Sequence, residues 1–373
     1  MEMNIMETGG EFKAQRKADE NSIRKLEKHL GKLLLILKLT GIPISESSNS
    51  SRQGYLLDYL LKLCYPIFLH LSCLYLWYAT ISEGGLEYAT IIDVILPVLP
   101  CFMWLLLRKQ KALKWFLADL SNITSKNFTS HNRFLLYCTN LALCFIFIYP
   151  LLLIALRIIV GNVMNVREVF RILQEAVFPC IMVITYVSIC YVLLQNFRFY
   201  KKMFHKKLDL ACSTDMKNTM KDYLNIIKNV EIFDNLFCNV TFVLLLQALC
   251  IITILVIDMM VVEDFVAMIL FEALCEFIFI FVTLGIMSFC AGNISIEMAA
   301  IKSVLFEKMF YQLNQDSCIN YEKHINFLLK KDACILTAGK AIAFDRGFLL
   351  KAFVFIIIEV IFICEVVFRI YPH

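Results

Sequence analysis

Long apolar runs alternate with short charged segments along the whole chain. Seven such runs stand out, at about 60–81, 87–107, 134–160, 172–196, 236–257, 264–290 and 348–368. A helix needs about 20 residues to cross a hydrocarbon core of roughly 30 Å, so each run predicts a transmembrane helix. Five of the seven prolines fall inside the runs (Pro66, Pro97, Pro100, Pro150 and Pro179). Neighbouring helices re-satisfy the carbonyl that a proline frees in a membrane, so these positions predict kinks rather than breaks.

Outside the runs, apolar residues recur at helical spacing. Ile23, Leu26, Leu30, Leu33 and Leu37 make one stripe, with Arg24, Lys25, Lys28 and Lys32 between them. This predicts a basic amphipathic helix, either lying on the inner leaflet or packed on the bundle. Met216, Met220, Leu224, Ile227 and Val230 make a second stripe. Met298, Ile301, Leu305, Met309 and Leu313 make a third, and Ile325, Leu328 and Leu329 begin a fourth. Apolar stripes need partners; a packed helical domain beneath the membrane supplies them, and the simpler alternative is that they extend the spans inward. The expected organisation is a cytoplasmic N-terminal segment (1–59), six spans with long cytoplasmic loops (60–290), a helical anchor region (291–347), and a last span with a short tail (348–373).

Composition agrees with an all-α membrane protein. Of 373 residues 60% are hydrophobic and 18% charged, against roughly half and a quarter in soluble domains. The net charge of +4 is no nucleic-acid signal, because the basic residues flank the spans instead of clustering on one face. Most of the 15 cysteines lie inside apolar runs, where a free thiol behaves as a small hydrophobe. No CxxC pair or Cys/His spacing suits a metal.

The distribution of Lys and Arg sets the orientation. The N-terminal segment and the even loops hold 30 of them, while the odd loops and the tail hold four. The basic side faces the cytoplasm, which places the N-terminus inside and the C-terminus outside, in a multi-pass protein expected at the plasma membrane. A G-protein-coupled receptor has the opposite orientation and usually a long inner tail. A transporter built on inverted repeats has an even number of spans. Those two remain the alternatives to the reading developed next.

Catalytic patterns such as HExxH, GxSxG, a phosphate-binding loop or a dinucleotide fingerprint are missing from any suitable setting, so neither an enzyme nor a cofactor is expected. Charges inside spans are functional candidates by default. Asp93, Glu175, Glu272 and Glu276 are such groups, and Glu272 and Glu276 share a helix face. The last run carries Lys351, Glu359 and Glu365 among Ile, Val and Phe. At 100° per residue Ile358, Phe362, Glu365 and Val366 fall on one face. Phe362 and Val366 form an apolar constriction that gates by dewetting, and Glu365 a ring that selects cations. Glu359 lies off that face, where it would pair with another helix. One span cannot enclose a pore, so this arrangement implies a symmetric oligomer.

The chain resembles the gustatory and odorant receptors of insects and other arthropods, as a divergent member of the gustatory family. That family carries a Gly, a Phe-x-Leu-Asn-Arg-like stretch, a Leu-rich turn, Thr-Tyr, five apolar residues and Gln-Phe. Here stand Gly339, Ile342-Ala343-Phe344-Asp345-Arg346 and Leu349-Leu350, then Ile358-Glu359 and Glu365-Val366 at the positions of Thr-Tyr and Gln-Phe. The spacing is kept and all four signature identities differ. Leu33 to Leu37 followed by Gly41-Ile42-Pro43 is also similar to the entry segment of these receptors. The resemblance implies a ligand-gated, non-selective cation channel, built as a homotetramer around the last span or as a hetero-oligomer with a related receptor. Its partners would be a small-molecule tastant or metabolite, permeant cations and membrane lipids. Ligand would bind in the outer half of spans two to six. Depth and chemistry select Asp93, Tyr149, Glu175, Phe178, Glu272 and Glu276 there.

The charge distribution makes a direct prediction. In intact cells an epitope at the C-terminus is labelled from outside and one at the N-terminus only after permeabilisation. Surface labelling of the N-terminal epitope would overturn the assigned orientation.

Overall fold

A computed structural model of the chain describes residues 30, 32–42, 52–83, 88–110, 112–127, 133–159, 165–208, 213–261, 267–312 and 333–370. Its helices are α1 (Lys32–Leu39), α2 (Arg52–Glu83), α3 (Tyr88–Ile95), α4 (Val98–Arg108), α5 (Ala112–Asn127), α6 (Arg133–Ile159), α7 (Val166–Leu208), α8 (Ser213–Val261), α9 (Ala267–Gln312) and α10 (Phe348–Ile370). Two short strands, β1 (Thr337–Ala338) and β2 (Ile342–Ala343), precede α10. Among the described residues six stretches are long and apolar enough to cross a bilayer: Lys62–Ser82, Ile91–Arg108, Leu136–Ala155, Val166–Lys206, Asn218–Ile257 and Ala273–Glu307. The last apolar run is also helical, 23 residues long in α10.

The stripes between spans lie on long continuous helices that carry the spans onward: α7, α8 and α9 run on for 43, 49 and 46 residues. At 1.5 Å per residue each is about twice as long as the hydrocarbon core is thick. Met220, Ile227 and Val230 are buried on α8, and Met298, Ile301 and Leu305 on α9. They continue the stripe that Met287, Ala291 and Ile294 begin within the span. The spacing of three and four residues persists because the same face stays against the same neighbour. Arg198 and Lys201 on α7 both pair with Glu297 on α9, at 3.2 and 3.1 Å. Leu313, Ile325, Leu328 and Leu329 lie outside the described residues.

One correction concerns Pro97. The second run is interrupted at Leu96–Pro97, where α3 ends and α4 begins. Pro97 keeps helical dihedrals (φ −66°, ψ −20°), so the chain bends without leaving the span. Trp77 on α2 donates its indole N–H to the carbonyl of Val94 beside the bend, at 2.7 Å. Pro66, Pro150 and Pro179 sit inside continuous helices.

The N-terminal stripe packs on the bundle. Leu33, Leu34 and Leu37 are buried, around a small void shared with Leu107, Leu113, Leu117, Ile189 and Phe237. Trp104 donates to the carbonyl of Thr40 at 2.8 Å. Gly41 follows with φ +81°, and a Cβ there would stand 2.6 Å from the Lys62 carbonyl oxygen. The residue type is dictated twice, by the left-handed backbone and by the close approach. Ile23 and Leu26 lie outside the described residues.

Buried polar groups bind neighbouring helices. Gln174 on α7 donates to the Leu69 carbonyl and the Ser72 hydroxyl of α2, at 2.9 and 2.8 Å. Asn196 reaches Thr124 of α5 at 3.2 Å. The opposite condition holds outside: Leu71, Tyr78 and Ile81 on α2, Leu141, Phe147 and Ile148 on α6, and Ile278, Val282 and Phe289 on α9 are exposed. Such a girdle suits lipid and not water.

Residues 333–347 fix the base of α10. Ala338 and Ala341 close a turn by a hydrogen bond of 3.1 Å, with φ of +59° at Gly339 and +58° at Lys340, as a type I′ turn requires. The hairpin is clamped to α8. Asp234 accepts the Thr337 N–H at 2.6 Å and its hydroxyl at 3.1 Å. Gly339 donates to the Cys238 carbonyl at 2.7 Å. Phe344 and Phe348 then bury their rings, 5.0 Å apart.

Gly339→Ala tests this clamp. The new Cβ would lie 2.9 Å from the Phe242 ring on a left-handed backbone, so we expect a loss of about 1–3 kcal/mol, read as a lower unfolding temperature in detergent. Lys340→Gly, which relieves the same strain next door, should cost less. A Gly339→Ala protein as stable as the parent would refute the clamp.

Candidate functional site

Near the ends of α2 and α6 and the start of α7, charged side chains collect around a cleft. Asp93 lies on α3, just before the bend at Leu96–Pro97, and its carboxylate meets two arginines of α7. Arg171 stands 3.5 Å and Arg167 3.9 Å from it. Arg167 also donates to the Thr80 hydroxyl of α2 at 3.0 Å. Arg171 reaches along its own helix to Glu175 at 2.9 Å, the i,i+4 geometry at which opposite charges meet on one face. Asp93 and Glu175 thus share one guanidinium. These side chains are 17–32% exposed, neither solvent-screened nor desolvated outright.

Glu175 also lines a cleft of about 50 Å³ between α6, α7, α8 and α9. Tyr149 and Leu153 come from α6, Ile172, Glu175 and Ala176 from α7, Ile251 from α8, and Glu276, Phe279 and Ile280 from α9. The spacings of three or four residues put each set on one face of its helix. Tyr149 stacks on Phe279 with centroids 4.6 Å apart and planes 19° from parallel, and Phe145 stacks on Tyr149 at 5.5 Å. Gln247, one turn before Ile251 on α8, donates to the backbone carbonyl of Glu175 at 3.2 Å. Its side-chain oxygen is buried and has no hydrogen-bond partner among the described residues.

The structure therefore brings together Tyr149, Glu175 and Glu276, and joins Asp93 to them through Arg171. Phe178 lies elsewhere. It is fully buried in the main core, its ring 5.8 Å from Tyr65. The side chain of Glu272 lies outside the described residues. Sequence reasoning missed Phe279, although it follows Glu276 by three residues. It also missed Arg171 as the partner of Glu175, although the i,i+4 pair is legible.

The helix α10 forms a second candidate region. It rests on the bundle through Phe348 and Ile356, both buried, and its remaining surface is largely bare. Ile358 and Phe362 are 59% and 62% exposed, and Glu365 is exposed on the same side. The side chain of Val366 lies outside the described residues. Glu359 points the other way and accepts the Thr253 hydroxyl of α8 at 2.7 Å. At the foot of the helix the Lys351 ammonium, 2.7 Å from Asp345, holds that carboxyl below the usual carboxylate range.

No protein-family profile and no curated protein matches the sequence. Solved structures do match. The olfactory receptor OR5 of the insect Machilis hrabei superimposes with a TM-score of 0.71 at 11% identity, over 92% of this chain and 99% of its own. The same receptor in complex with eugenol gives 0.65 at 10% identity, over 90% and 97%. Nearly the full length of both chains is aligned, so this chain has the fold of an insect olfactory receptor.

The shared guanidinium has a measurable consequence. A double-mutant cycle of Asp93→Asn and Arg171→Gln, scored by thermal unfolding, should give a coupling of about 1–2 kcal/mol, between the values for exposed and buried pairs. Additive effects would reduce the pair to mere proximity.

Proposed function

We propose that the chain is the subunit of a chemosensory receptor of the gustatory type, acting as a ligand-gated, non-selective cation channel. Four copies surround a pore lined by α10, and a small organic molecule in the α6–α9 cleft opens it. The observation that carries this reading is a carboxylate set among exposed apolar residues on one face of α10. Its exposed face holds Ile358, Phe362 and Glu365, an apolar constriction next to a carboxylate. A carboxylate facing lipid would cost several kcal/mol, whereas one facing a water-filled axis costs far less.

The olfactory receptor of like fold, in its complex with eugenol, supports a small-molecule ligand. The cleft has the character of such a site, mostly apolar with a few placed polar groups. The chain also supplies a route between the two regions. Ile251 lines the cleft, and Thr253, two residues on, holds Glu359. A ligand that shifts α8 at Ile251 therefore acts on α10 directly.

Voltage-clamp recording from cells expressing this chain alone, with a panel of volatile and sapid compounds, tests the proposal. Currents should appear without added nucleotide. Glu365→Gln should weaken discrimination of cations over anions and relieve block by divalent ions. Ligand-dependent signalling that needs a G protein, or saturable flux without unitary openings, would replace this reading. Unchanged permeation and block in Glu365→Gln would remove Glu365 from the pore.

A further inference from the structure

Pro179 stands inside α7, four residues beyond Glu175. A proline has no N–H, so the backbone carbonyl of Glu175 loses the donor that residue 179 supplies in an ordinary helix. Another donor takes its place: the side-chain amide of Gln247, on α8, reaches that carbonyl at 3.2 Å. We infer that Gln247 is a positioning residue, which replaces the donor missing at Pro179 and thereby fixes the α7 wall of the cleft against α8. The hinge belongs to the fold itself; its bearing on a ligand rests on the cleft being the ligand site, as proposed above.

Packing marks Pro179 as a boundary. Beyond it α7 is a stem of the main core, with Met182, Tyr186, Ile189, Cys190 and Leu193 buried there. Before it, Ile172 and Ala176 leave that core and join Tyr149 and Leu153 of α6 in a small apolar cluster of their own. Their neighbours Arg171, Leu173 and Glu175 are only half-buried. Residues 166–176 are therefore an arm that packs with α6, while the stem packs with the bundle. A proline between them sits where helices bend most readily.

The cleft runs along the seam between these two cores. Ile172, Ala176, Tyr149 and Leu153 line it from the small cluster, Ile280 lines it from the main core, and Ile251 packs against that core. The bond from Gln247 to Glu175 crosses the seam one turn from Ile251. On its other side the arm is held to α2 by Gln174 and to α3 by Arg167 and Arg171. Gln247 thus sets how far the arm stands from α8, and with it the width of the cleft. A molecule entering the seam presses on Ile172 and Ala176 from one side and on Ile251 from the other. The tie makes arm and α8 move together, and α8 carries Thr253 beneath Glu359.

The residue type favours positioning over space-filling. Gln247 is 2% exposed, and its side-chain oxygen has no hydrogen-bond partner among the described residues. A buried acceptor without a donor is destabilising, so leucine, of similar size, would be the better filler. The amide is useful because the carbonyl opposite would otherwise go unmet as well. That carbonyl can only accept, which turns the amide nitrogen toward it.

Hydrogen exchange read by mass spectrometry, on the full chain in lipid nanodiscs without ligand, tests the hinge. Gln247→Leu should speed exchange of the amides in 166–176 about tenfold, the scale of one lost hydrogen bond, while the stem over 180–208 keeps its rate. Adding Pro179→Ala to Gln247→Leu returns an N–H to position 179 and should restore the protection of the arm. Unchanged exchange of the arm in Gln247→Leu, acceleration spread evenly over the chain, or a double variant no better protected than Gln247→Leu would each overturn the inference. If Gln247→Leu does not fold, the double variant decides: recovery of folded protein supports the tie, and its absence overturns it. The readout needs neither ligand nor current, so a chain that does not conduct would refute the channel reading and leave the hinge standing.

Discussion

A bilayer offers the backbone no hydrogen-bond partners, and most of the structure follows from that. Every N–H and C=O in the apolar layer must be satisfied by the chain itself, so the described spans are helices and the described β-hairpin lies before the start of α10. Exceptions are repaired on the spot. Where Pro97 breaks the ladder, Trp77 crosses from α2 to take a carbonyl beside the gap. Where side chains carry hydroxyls, as in Thr185 and Thr283, they donate to the carbonyl four residues earlier.

The same shortage of partners organises the charges. Asp93, Arg167, Arg171 and Glu175 occur together because none could be isolated there cheaply. Their meeting fixes α3 against α7 at the bend in the second span. The adjoining cleft is walled by four helices, and α8 is the wall that continues elsewhere. Along one helix it carries Gln247 and Ile251 at the cleft, Thr253 under Glu359, and Asp234, Cys238 and Thr241 against the hairpin. The helix is thus a strut common to the cleft, the foot of α10 and its middle.

Much of this was legible in the sequence. Runs of about 20 apolar residues locate spans well because one long period repeats with few interruptions. The stripes through Met220 and Met298 were read correctly as helical, but whether they break from the spans depends on turn signals, and none intervenes. The hairpin was invisible, because two-residue strands carry no alternation to detect and Lys340 disguises a turn usually written Asn-Gly. The second apparent kink, at Pro97, became a break because Pro100 follows within a turn. Half the cleft could be found by looking for carboxylates at depth. The rest could not, because Tyr149 and Phe279 are 130 residues apart and only tertiary packing of α6 on α9 brings their rings together.

The clamp at the foot of α10 also orders the making of the protein. Asp234 and Thr337 are separated by 103 residues, and every bond from the hairpin to α8 has a comparable reach. When α8 emerges from the ribosome its acidic notch is therefore empty, and it stays so while α9 and all the residues up to the hairpin are synthesised. The cleft helices can pack before that point, since none of their lining residues lies beyond Ile280. The helix α10, which follows the hairpin, is seated only after α8 and α9 have been made. Biogenesis thus completes the cleft before α10 acquires a fixed place, and a chain released early would carry a formed cleft without the helix clamped beside it.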